Sequence, residues 1–111
     1  MNSEFYKTAT EAFNILEESS LASLREKLYQ SAFRYVEHRF QWNFRTLDQR
    51  LEMDEARSIA HNTFIMNCDI MARNMASKGE PAYWRKNISD DRKAIGDFAC
   101  LLVALIGIKN R

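Results

Sequence analysis

Apolar residues along this chain recur every three or four positions and almost never alternate with polar ones, which is the spacing of helices buried on one side. Phe5, Ala9, Phe13 and Leu16 set out a first helix over about residues 2–18, interrupted by Ser19 and Ser20. A second, long helix is predicted over about 21–44, with "SLRE" (Ser23 to Glu26) as a capping box or one of the preceding serines as the cap. At about 100° per residue, Leu21, Leu24, Leu28, Ala32, Tyr35 and Trp42 share one side of it. Phe33, Val36, Phe40 and Phe44 fall beside them, so its apolar arc is wide.

The charged stretch "RTLDQRLEMDEAR" reads as a connection with room for a helical turn after Thr46. Asp54 is the expected N-cap of a third helix over about 55–77, carrying Ile59, Ala60, Met66, Ile70 and Met71 on its apolar face. Lys78 and Gly79 end it, and Pro81 prevents continuation. "AYWRKN" is a short linker anchored by Trp84, after which Ser89 caps the last helix with Asp90 and Asp91 in its positive first turn.

That last helix contains 11 residues, Phe98 to Ile108, with no polar side chain. As a helix the run rises about 16 Å, roughly half of a hydrocarbon layer of about 30 Å, so it does not cross a membrane. A helix apolar on all sides is one surrounded by its neighbours. The expectation is therefore a single all-α domain over residues 1–111, an up-down bundle of four main helices with the apolar C-terminal helix at its centre.

Composition agrees with a folded domain and narrows what it does. Apolar residues make up 46% and charged residues 28%, which is enough to bury a core. Sixteen Lys and Arg face fifteen Asp and Glu, a net charge of +1 that supplies no general attraction for nucleic acid. Cys68 and Cys100 lie in apolar helical surroundings without a CxxC spacing, the pattern of buried thiols in a reducing compartment. The N-terminus has no basic segment followed by an apolar core, so cytoplasm is the expected location, with no membrane association.

Metal chemistry in a bundle needs ligands on adjacent turns, such as Glu-x-x-His pairs. His38 and His61 each lack a second His or Cys three or four residues away, so neither a metal nor another cofactor is expected. No catalytic triad in a recognisable context, Gly-rich phosphate loop or EF-hand loop is present. A basic stripe is present: Arg34, His38, Gln41 and Arg45 fall within about 60° of one another, with Arg50 following, and could track phosphates. It also lies opposite the apolar arc, where a solvated face belongs, and the balanced charge favours that simpler reading.

Polar residues at positions expected to be buried are more informative. Arg39, Thr63, Asn67, Asn74 and Arg92 all project into apolar faces, and buried polar groups need partners. Those partners are one another, His61, Asp97 or another molecule. Asp97 pairs with Lys93 one turn away, or reaches across the bundle toward Arg39, Arg73 or His61. The second arrangement is that of an enzyme with His61 as base and Asp97 as its orienter. Gly96, Cys100, Ala104 and Gly107 line up at the spacing that lets helices approach closely, within the chain or across a homodimer seam.

Residues 61 to 100, "HNTFIMNCDIMARNM" followed by "WRKNISDDRKAIGDFAC", resemble a family of small all-helical bacterial proteins of unknown function. The likeness rests on His61-Asn62, Phe64-Ile65, Asn67, Arg73, Trp84, "DDRK" and "IGDFAC". It implies a helical domain of bacterial, cytoplasmic origin. Its polar members, His61, Asn62, Asn67, Arg73, Arg92 and Asp97, overlap the set found by helical position; together with Arg39 they form the candidate polar cluster. The expected function is an interaction or regulatory protein, acting without cofactor on a protein partner through a helical surface. The alternatives are nucleic-acid binding through Arg34, His38, Arg45 and Arg50, and an enzyme built on His61 and Asp97.

Overall fold

The computed structural model describes residues 3–111, in which α1 (Ser3–Glu18), α2 (Ala22–Trp42), α3 (Leu47–Ser77) and α4 (Arg92–Lys109) follow one another. A single 3-10 turn, Tyr83–Arg85, precedes α4, and the described residues contain no strand. Four helices with short connections make the all-α bundle expected of the sequence.

The largest departure is at the start of α3. Thr46, and not Asp54, is its N-cap: Thr46 Oγ1 accepts from the Gln49 backbone N–H at 3.3 Å, and Gln49 Oε1 accepts from the Thr46 N–H at 3.0 Å. This reciprocal capping satisfies two donors at the helix start. The charged stretch thus forms the first turns of a 31-residue helix and not a connection. At 1.5 Å per residue α3 accounts for the longest dimension of the molecule, 47 Å.

Two other caps also differ from expectation. The Leu21 side chain makes no capping bond to α2, and Ser23 and Glu26 lie inside that helix; Ser19 Oγ accepts from the Leu21 N–H instead, at 3.1 Å. Asp91 caps α4 by accepting from the Ala94 N–H, while Ser89 accepts from Asp91 one step earlier. The end of α3 is as predicted. Gly79, at φ +75°, closes it while Glu80 N–H donates to Met75 O and Gly79 N–H to Ala76 O, satisfying carbonyls the helix leaves open.

Helix α2 packs on α3 and α4, and α1 packs on α4 and the 3-10 turn. Leu16, Leu28, Tyr35, Phe64, Met71, Met75, Trp84, Ile95, Phe98 and Leu102 form the fully buried centre. Phe98 lies 6.0 Å from Phe64 and 6.3 Å from Trp84, ring centre to ring centre. Trp84 anchors its linker as predicted, and its indole N–H donates to Met75 Sδ at 3.4 Å.

The apolar faces are narrower than the sequence suggests. Helix α4 buries Ile95, Phe98, Ala99, Leu102 and Ile106, but Cys100, Ala104, Gly107 and Ile108 are exposed. Its neighbours cover one side of it only, so it is not surrounded. Cys68 is buried, whereas Cys100 is not. On α2 Phe33 and Phe40, and Phe44 just after it, face solvent, whereas Leu28, Ala32 and Tyr35 are buried; on α3, Ile59 and Met66 are exposed while Ala60 and Met71 are buried. Of the small residues on α4, Gly96 abuts another helix, whereas a side chain at Gly107 would meet nothing within 4 Å. Among the described residues, no helix is long and apolar enough to cross a membrane.

Candidate functional site

Toward the connection between α2 and α3, large apolar side chains cease to be buried. Phe40, Phe44, Leu47 and Leu51 are 64, 73, 72 and 69% exposed. The rings of Phe40 and Phe44 touch, with centres 5.0 Å apart. Two stretches of sequence cause this: residues 40–44 run from the end of α2 into the turn after it and 47–51 begin α3, away from the buried residues of the core.

Trp42 is the organising side chain here. The guanidinium of Arg57 lies 4.6 Å from its ring centre and that of Arg50 lies 5.6 Å away, and Arg50 Nε donates to the Trp42 carbonyl at 3.0 Å. Arg50 and Arg57 are seven residues apart, which places both on the side of α3 that meets α2. Their charges rest on the electron-rich face of the indole.

Beside Trp42 a cleft of about 390 Å³ opens between α2, α3 and the start of α4. Val36, Phe40 and Trp42 supply apolar wall; Arg39, Arg57, Asp97 and Cys100 supply polar groups. Arg39 reaches across to α4, where its Nη1 is 3.4 Å from Cys100 Sγ and 3.8 Å from Asp97 Oδ1. It passes directly over Gly96, where any Cβ would sit 2.6 Å from Arg39 Nη1. Gly96 therefore gives Arg39 its path. Arg57 donates to Asp54 at 3.2 Å, and its buried Nε has no acceptor among the described residues. The Tyr35 phenol beneath Arg39 is pushed up by burial, although the charges of Arg39, Arg57 and Arg92 pull it back.

The structure joins some of the predicted polar cluster and separates the rest. Asp97 accepts from Lys93 at 2.9 Å, as the local expectation has it, and lies 3.8 Å from Arg39 across the bundle, which meets only the Arg39 part of the other expectation. His61 is elsewhere. Its Nδ1 pairs with neighbouring Asn62 at 3.1 Å, its ring stands edge-on to Tyr35, and its buried Nε2 has no hydrogen-bond partner among the described residues. It makes no hydrogen bond to Asp97. Asn67 and Thr63 are half-buried, while Asn74 and Arg92 are exposed rather than buried, Asn74 donating to Ile70 O in its own helix. Arg73 is exposed and borders, with Asn62, a separate shallow depression on the outer side of α3.

The basic stripe is divided as well. Arg34 and Arg45 are exposed, His38 is half-buried with no partner for Nδ1 among the described residues, and Arg50 is turned onto Trp42. Arg57 and Trp42 are the site residues that sequence reasoning missed. The seven-residue spacing of Arg50 and Arg57 carries the signal, but it is visible only once α3 is extended back to Leu47.

A second polar assembly lies at the opposite end of α2, around a cleft of about 420 Å³. Glu17 accepts from Tyr29 at 2.6 Å and pairs with Lys109 and, more distantly, Arg25. Burial opposes its ionisation, but the bonds from Lys109 and Tyr29 and the charges of Lys109 and Arg25 outweigh that and hold the carboxyl below its ordinary range. The same contact and the burial of Tyr29 push its phenol well above the ordinary tyrosine range, which suits a structural donor better than a proton carrier. Among the described residues, no three His, Cys, Asp or Glu side chains gather as a metal site would require.

No protein-family model, curated protein or solved structure matches this chain.

Proposed function

We propose that this chain is a cytoplasmic interaction protein of bacterial type that works without a cofactor and docks a protein partner through the end of the α2–α3 hairpin. One observation carries the reading: four large apolar side chains within twelve residues at the α2–α3 connection, Phe40, Phe44, Leu47 and Leu51, are left in solvent, the two rings in contact. Burying side chains of this size is worth about 1.5–3 kcal/mol each, a gain the isolated chain leaves unused. Exposed apolar clusters among polar groups mark interaction sites, and exposed Arg45, Asp48 and Glu52 are interspersed with these residues along the chain.

Paired capture tests the proposal. Tagged wild type and a Phe40→Ser, Phe44→Ser double variant are used side by side on the same bacterial lysate. The variant should melt like the wild type, since both rings are exposed, yet lose the wild type's stoichiometric partner. Identical captured sets from the two baits would refute the reading.

A further inference from the structure

From the cleft between Arg39, Arg57 and Trp42 we infer a binding site for a small oxyanion, a carboxylate or phosphoryl group, carried on a flat apolar body. The site shares Phe40 with the docking surface proposed above but does not depend on that reading, since a small ligand can be tested on the isolated chain.

The argument begins with donors that lack acceptors. A guanidinium carries five N–H donors and no acceptor. The one hydrogen bond of Arg39 among the described residues goes to Cys100 Sγ, a weak acceptor, and Asp97 at 3.8 Å is beyond hydrogen-bonding distance. Arg57 has one oxygen acceptor, Asp54, and its buried Nε has none. Two largely unspent guanidinium groups thus border one cleft.

Orientation and charge point the same way. The Arg57 guanidinium lies over the Trp42 ring, 4.6 Å from its centre, which holds it beside the cleft with donors left over for a carboxylate or phosphoryl group. Asp97 does not cancel the field, because Lys93 already neutralises it at 2.9 Å. Arg39, Arg57 and Lys93 against Asp54 and Asp97 leave a surplus of one positive charge. The walls select what carries the anion: Val36, Phe40 and the Trp42 ring are apolar, and about 390 Å³ holds a single-ring molecule.

Gly96 adds a sign that Arg39 is placed and not incidental. Glycine inside a helix is unfavourable relative to alanine, and here its missing side chain is the space through which Arg39 reaches the cleft. An alanine there would push the guanidinium aside while improving the helix.

The test uses phenylacetate and phenyl phosphate as probes, with acetate, inorganic phosphate and benzyl alcohol as controls, followed by amide and indole NMR shifts of the isotope-labelled chain. At least one aromatic anion should give saturable shifts at Trp42, Arg57 and Gly96, with a Kd of about 1 mM or tighter. Which of the two does so identifies the oxyanion. Arg39→Gln should weaken binding at least about tenfold, as expected for loss of a charge-assisted contact. Gly96→Ala should weaken it comparably without lowering the melting temperature, which separates loss of the site from loss of the fold. No saturable shift up to about 10 mM of either aromatic anion would overturn the inference. So would benzyl alcohol binding as tightly as both, or unchanged affinity in both variants. A negative result here leaves the lysate comparison of the double-Phe variant unaffected.

Discussion

The phenol of Tyr29 donates a 2.6 Å hydrogen bond to Glu17 Oε2 and so ties α2 to the last turn of α1, while Lys109 brings the end of α4 to the same carboxylate. Three helices meet on one acid. The Glu17 carboxyl is held below its ordinary range even though burial works against ionisation.

A depressed carboxylate contributes stability above its unfolded pKa and loses it as pH falls through the folded one. The wild type's advantage over Glu17→Gln should therefore be full near pH 7, shrink below about pH 4.3 and disappear under the folded pKa. Urea denaturation of both proteins across that range measures it. An advantage that stays constant down to about pH 2 would mean that the charge of Glu17 contributes nothing.

Leu102 is fully buried in α4, beside Phe98 and Ile106 on its covered side. Leu102→Asp removes apolar contact and places a carboxylate where it has no partner, a loss of about 4 kcal/mol or more against a typical total of 5–15. Circular dichroism should show an unfolded or barely cooperative chain at about 25 °C. A variant that melts cooperatively near the wild type would place this residue outside the core.

Much of this architecture is legible in the sequence because helix period and punctuation act locally. Gly79 and Pro81 end α3, and Trp84 anchors the linker, for reasons contained in a few neighbouring residues. What is not legible is which side of an apolar arc meets a neighbour. Phe33, Phe40 and Phe44 fall beside Leu28 and Ala32 on the wheel, but α3 and α4 together cover only part of that arc. The site suffers in the same way. Arg39 and Asp97 emerge from helical position, and Lys93 from spacing, whereas Arg57 is recognisable only after α3 is known to begin at Leu47. His61 and Asp97 are both polar members of apolar helices, yet each finds its hydrogen bond in its own helix, His61 Nδ1 with Asn62 and Asp97 with Lys93.

The start of α3 offers a test of that last boundary. Thr46→Ala deletes one half of the capping box and should cost about 1 kcal/mol. Because the first turns of α3 carry few core residues, the loss should show as faster amide exchange over residues 47–53 and not as a change in the core. Unchanged exchange there would show that the box contributes nothing.

The two cysteines should differ sharply in reactivity. Cys68 is fully buried and its thiol is pushed far up by that burial, whereas Cys100 is exposed beside Arg39. Thiolate is the reactive form, so iodoacetamide should modify one residue of the native protein, Cys100, and both after unfolding. Mass spectrometry of digested samples distinguishes the two. Equal labelling of Cys68 in the native state would show that α3 opens readily.

The uncovered side of α4 calls for a test of assembly. Ala104 is exposed, Gly107 faces open space and Cys100 lies on the same side, so a charge at position 104 meets no neighbour in one chain. Ala104→Glu should therefore change stability by no more than about 0.5 kcal/mol, the ordinary range for surface substitutions. Light scattering then separates the arrangements. If the side is free, wild type and variant both give the mass of one chain, 13.0 kDa, at every concentration. If two copies meet there, a symmetric interface places each Ala104 in or near the seam, and two introduced carboxylates facing apolar surface would split it. A wild-type dimer that Ala104→Glu returns to one folded, cooperatively melting chain would make this side a subunit seam. A variant that unfolds would instead show that α4 is covered on that side after all.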